Sequence, residues 1–155
     1  SYNVPLDRAP LIIGGRIYAD LSTGTAGMQL STYTSGESVA PGGNRFLVMP
    51  GAQTNLRFRT NIGIFAQGDQ PTPVEIKAIK QDGSEAATFN YTLNDPGHTG
   101  AFAQIPITED TFPGIDGNAM TIRVKARSGS PVGAYIVAVD QISTDTVFIQ
   151  GKRVN

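Results

Sequence analysis

Along much of the chain apolar and polar residues alternate with a period of two, the spacing that predicts strands with one buried face. In NLRFRTNIGIFA, residues 55 to 66, Leu56, Phe58, Ile62 and Ile64 fall on one side, and Arg57, Arg59 and Asn61 on the other. VEIKAI at 74 to 79 sets Val74, Ile76 and Ala78 against Glu75 and Lys77, and TFNYTL at 88 to 93 sets Phe89, Tyr91 and Leu93 against Thr88, Asn90 and Thr92. Between them Asp82-Gly83 suits a tight turn, because glycine accepts a positive φ cheaply, so 73 to 93 reads as one hairpin. MTIRVKA at 120 to 126 places Met120, Ile122 and Val124 inward, with Arg123 and Lys125 outward. AYIVAVD at 134 to 140 is apolar on both faces, which predicts a central strand covered on both sides.

FLVM at 46 to 49 and TVFI at 146 to 149 are shorter strands, and 11 to 19 predicts a strand kinked at Gly14-Gly15. Residues 21 to 44 are either a functional surface loop or contain a short strand near Met28. No window sustains helical spacing, and turn residues recur about every eight to twelve positions, as in a sandwich or barrel. The expectation is an all-β chain: a single antiparallel β-sandwich, immunoglobulin-like, with nine or ten strands over 11–155. Residues 1–10 form an extension that pairs with a sheet edge, in its own subunit or a neighbour. In the assembly version 1 to 13 docks as an extra strand, with Tyr2, Val4 and Leu6 filling alternate pockets.

Composition narrows the function classes. The 155 residues are 39% hydrophobic and only 16% charged, with a polar remainder suited to turns and common in exported proteins. A net charge of −1 supplies no global field for nucleic acid or an anionic membrane, and no apolar run is long enough to span a bilayer. With no cysteine there is no thiol nucleophile, disulfide or thiolate metal site. The start at Ser1 is read as that of a processed mature protein or an excised domain.

Candidate chemistry is sparse. His98, the one histidine, lies in NDPGHTG near Asp95, without the strained serine turn of a hydrolase, and reads as a solvated turn residue. Glu109, Asp110, Asp116, Asp140 and Asp145 are candidate paired carboxylates, but no tryptophan or aromatic cluster accompanies them, and turn roles fit better. Asp110, Asp116 and Asn118 share one loop with Gly117 and offer hard oxygen ligands for Ca²⁺, at a spacing unlike the EF-hand; ordinary turn formation is the alternative. For the two arginines the expectation is a structural clamp, Arg57 or Arg59 pairing with Asp140 or Asp145, with anion binding as the alternative.

Several short strings together resemble the β-sandwich repeat domains of large secreted proteins of environmental bacteria. They are Arg16 to Tyr18, Gly24 to Gly27, Phe58 to Asn61, Asp82-Gly83 and Ala134 to Asp145, within a likeness covering most of 11 to 151. The chain departs from that pattern at Thr146, where the domains carry proline, and at Met28-Gln29. The resemblance implies an exported, non-enzymatic, immunoglobulin-like domain with a structural or adhesive role. The expected partners are copies of itself or other cell-surface proteins, at an extracellular or cell-surface location, with no cofactor unless Ca²⁺. A carbohydrate- or calcium-binding module using loops 21 to 44 and 108 to 118 is the second reading; a hydrolase and a virion surface protein are further classes.

Overall fold

The computed structural model describes residues 15–21, 24–30, 35–97, 99–115 and 117–155. The docking residues Tyr2, Val4 and Leu6, the Gly14 of the expected kink, His98 and Asp116 lie outside the described residues. β1 (Gly15–Leu21) and β2 (Gly24–Leu30) form an antiparallel hairpin, so the stretch from 21 to 44 contains the strand expected near Met28. A 3-10 turn, Ser35–Glu37, follows.

Nine further strands make two antiparallel sheets. The larger sheet contains β3 (Phe46–Ala52), β5 (Thr72–Ile79), β6 (Glu85–Leu93), β8 (Met120–Ala126) and β11 (Lys152–Val154). The smaller contains β4 (Phe58–Ala66), β7 (Phe102–Pro106), β9 (Val132–Asp140) and β10 (Thr146–Gln150). Their orders are β11-β3-β8-β5-β6 and β10-β9-β4-β7, and β2 runs close to β10. Only β5–β6 and β9–β10 are consecutive neighbours within these sheets; every other connection passes from one sheet to the other.

One apolar cluster lies between the sheets. Leu47, Met49, Ile76, Ile122 and Val124 of the larger sheet share it with Ile62, Ile64, Ile105, Ala134 and Ile136 of the smaller. The strands owe this to their period: β8 reads buried at Met120, Ile122, Val124 and Ala126 with its intervening side chains at least partly open. The 73 to 93 hairpin adopts the expected register, Val74 opposite Tyr91 and Ile76 opposite Phe89. At its tip Gly83 takes φ 86°, and Asp82 Oδ1 accepts from the Ser84 amide at 2.8 Å.

Leu56 corrects the alternation inferred for 55 to 66. It is wholly exposed, because the chain turns over Asn55–Phe58 and the strand begins only at Phe58. Inward positions are then Thr60, Ile62 and Ile64, with the buried Thr60 hydroxyl donating to the Gln53 carbonyl at 2.6 Å. The two-sided cover expected for 134 to 140 also needs correction. β9 lies between β10 and β4, but its outer face is only partly covered: Val137 is buried, while Tyr135 and Val139 are half-buried.

The chain closes on itself at its C-terminal end. Between β10 and β11 the buried Gly151 amide donates to Ala134 O at 2.8 Å, and a Cβ there would meet that oxygen at 2.8 Å and Leu47 Cβ at 3.1 Å. The loop after β7 is likewise anchored. Phe112 is fully buried, its ring 5.6 Å from that of Phe89, and Ile107 is buried beside it in the same cluster. Truncating Phe112→Ala is expected to cost about 3–5 kcal/mol, read as a lower urea midpoint at an unchanged slope.

Candidate functional site

The arginine–carboxylate arrangement builds up from two turns. Asn55 folds the chain before β4: its Oδ1 accepts from the Arg57 and Phe58 amides, both at 2.9 Å, and its own amide donates to Phe58 O at 2.9 Å. Residues 140–145 join β9 to β10 through Asp140 N to Asp145 O at 2.9 Å and Thr144 N to Asp140 O at 2.8 Å. The Gln141 amide donates to Arg57 O at 2.7 Å, which ties the two turns together.

Across that junction Arg57 and Asp140 pair. Both Nε and Nη2 donate to the same oxygen, Asp140 Oδ2, at 2.9 and 2.7 Å. Oδ1 is left for the turn, accepting the Ile142 amide at 2.9 Å and the Ser143 amide at 3.4 Å. The donors are thus divided between the two oxygens, rather than forming the parallel two-oxygen fork that arginine and carboxylate often make. Asp140 is buried at 7% exposure, whereas Arg57 lies over the Phe58 ring at 5.2 Å with its guanidinium open to solvent.

The Arg57 hydrogen bond, helped by the turn amides, holds the Asp140 carboxyl at about 2, against an ordinary 3.8. In return Asp140 raises the Arg57 guanidinium. A carboxylate this acidic is a poor proton acceptor near neutrality, so the arrangement fastens the chain and offers no general base.

The other two arginine-clamp candidates do not join. Arg59 sits opposite Val139 in the β4–β9 ladder, exposed, and is in no ion pair among the described residues. Asp145 instead accepts from the Ser143 hydroxyl at 2.9 Å. Of the calcium candidates, Asp110 and Asn118 are exposed, and no group of three or more His, Cys, Asp or Glu among the described residues could hold a metal ion. Glu109 accepts the Gly114 amide at 2.8 Å and so shapes its own loop.

Alternation alone did not reveal the aromatic outer face of the smaller sheet. Tyr135 lies across the β4–β9 pair on Gly63, and Phe65 lies on Gly133; a Cβ on either glycine would run into the ring. Tyr135 also meets Phe148 at 4.9 Å between centroids, and burial pushes its phenol up. Phe102 on β7 completes the face, half open to solvent. Pairing of glycine with an aromatic across strands is the signal that would have found it.

No protein-family model, no curated protein and no solved structure matches the chain.

Asp140 is more acidic folded than unfolded, so the stability it supplies is complete above about pH 4 and disappears as the pH falls through about 2. Asp82 and Glu85, lowered by Ser84 and Lys77 respectively, act with the same sign. Asp140→Asn is expected to be less stable than wild type at pH 7, and to lose less of its remaining stability between pH 4 and pH 2. Urea midpoints across that range check both.

Proposed function

We propose that the chain is a non-enzymatic interaction module of the cell exterior, immunoglobulin-like in general character, that joins copies of itself through residues 1 to 13. The observation carrying this reading is the open edge of the smaller sheet. Among the described residues β7 has a strand partner on one side alone, β4. It turns Ala103 and Ile105 inward and exposes Phe102 and Gln104. An incoming strand with alternating apolar residues, as Tyr2, Val4 and Leu6 would provide, can extend such an edge through main-chain hydrogen bonds.

The immunoglobulin-like character is supported by four strands. β4 lies beside β7 in one sheet, and β5 beside β8 in the other, with β4–β5 and β7–β8 each passing between sheets. This matches the B–E and C–F pairs of the immunoglobulin pattern. The flanking strands differ: β3 joins β8 and β9 joins β4, where that pattern sets the first strand beside B and the last beside F. The resemblance to secreted repeat domains agrees with an exported, structural role, and the engagement of Glu109, Asp140 and Asp145 in turn contacts favours a non-enzymatic one.

Light scattering on the full chain and on a version lacking residues 1 to 10 tests the proposal. The full chain is expected to form oligomers or polymers, and the truncated one to be a monomer. Two monomers of equal stability would remove the extension as an assembly element.

A further inference from the structure

The outer face of the larger sheet carries a charge pattern that the fold does not need. Register places Lys77 of β5 directly opposite Arg123 of β8, and Arg123 opposite Val48 of β3, which in turn faces Lys152 of β11. Three cations therefore lie on one row running across the strands. Adjacent strands are about 4.8 Å apart, so Lys77 and Arg123 stand one spacing from each other and Lys152 two from Arg123. Like charges directly opposite each other on paired strands oppose folding.

Neighbouring carboxylates relieve this only in part. Glu85 pairs with Lys77 at 2.6 Å, while Glu75 is held by Arg127. Arg123 lies over the Phe46 ring at 5.1 Å, and Lys125 stands opposite Glu75 in the β5–β8 register, but neither cation is in an ion pair among the described residues. On this face Lys77, Arg123, Lys125, Arg127 and Lys152 stand against Glu75 and Glu85, an excess of positive charge on a chain whose net charge is −1. The centre is also concave, a depression of about 340 Å³ lined by Asn44, Phe46, Glu75, Lys77, Arg123 and Lys125. Like charges set directly opposite each other on paired strands break a local pairing rule, and such breaks are expected where a surface serves a ligand.

We infer that this groove binds a linear polyanionic glycan, a polysaccharide with carboxylates at intervals along the chain, laid across the strands so that neighbouring carboxylates meet Lys77 and Arg123 and one further along meets Lys152. Asn44 in the groove and the exposed Asn90, opposite Glu75, supply neutral partners for sugar hydroxyls. Nucleic acid is disfavoured because Phe46 is covered by the Arg123 guanidinium and offers no open platform for a base. The inference rests on the interaction-module reading but not on its assembly step. Light scattering reads mass and the experiment below reads retention, so either can fail alone.

The test is retention of the full chain on immobilised polygalacturonate, with neutral dextran and duplex DNA as comparison matrices. Wild type is expected to be held by polygalacturonate at low salt, to be released as salt rises, and to pass through dextran. Replacing Arg123→Thr with Lys125→Thr should weaken binding about tenfold, since charge-assisted contacts supply the affinity. Its melting temperature should change little, because the lost opposition of Lys77 and Arg123 offsets the lost facing of Lys125 by Glu75. Arg59→Thr, on the other sheet, should leave retention unchanged. If the double variant does not fold, Lys152→Thr on the exposed edge strand should give a smaller loss of the same kind. Absence of wild-type retention, retention unaltered by the groove variants, or stronger retention on DNA than on polygalacturonate would each overturn the inference.

Discussion

Ile62 and Ile64 of β4 share one buried apolar layer with Ile122 and Val124 of β8, and the filling of that layer constrains everything around it. Because strand side chains alternate, each residue committed inward commits its neighbours outward. Because consecutive strands mostly change sheets, contacts between segments distant in sequence have to form together. The polar residues are left with two duties: closing the ends where the chain crosses, and covering the outer faces.

The ends are closed by hydrogen bonds between side chains at the turns and the backbone. Asn55, Thr60, Asp82, Glu109 and Asp140 each satisfy backbone groups at a chain reversal. Asp140 does most, since one carboxylate fixes the β9–β10 turn with Oδ1 and the entry to β4 with Oδ2. Its pairing with Arg57 lies at the boundary of the core, where the guanidinium stays wet while the carboxylate is covered. The outer faces of the two sheets differ in character: one aromatic, one cationic.

Legibility in the sequence followed burial. The hairpin of 73 to 93 and strand 120 to 126 have one buried face, which imprints a period of two. β11 has none: Lys152, Arg153 and Val154 are all exposed, so no pattern marks it. Phe112 anchors a loop among proline and glycine, where no periodic neighbour announces a core position. Leu56 matched the alternation but lies in a turn, and alternation says nothing about where a strand begins. The preference for Arg57 over Arg59 is of the same origin: Arg59 is inside the ladder opposite Val139, while Arg57 lies just before it, beside the turn. The cationic row was out of reach, since outward positions are readable strand by strand but the pairing of β5 with β8 is not.

At its turns this protein uses charge for architecture, and the carboxylate of Asp140 reports that directly. Carbon-13 NMR titration of that side chain should give a pKa of about 2 in the wild type, moving up toward 3.8 when Arg57 is replaced by Gln. A wild-type value already near 3.8, unmoved by Arg57→Gln, would contradict the clamp and the reading built on it.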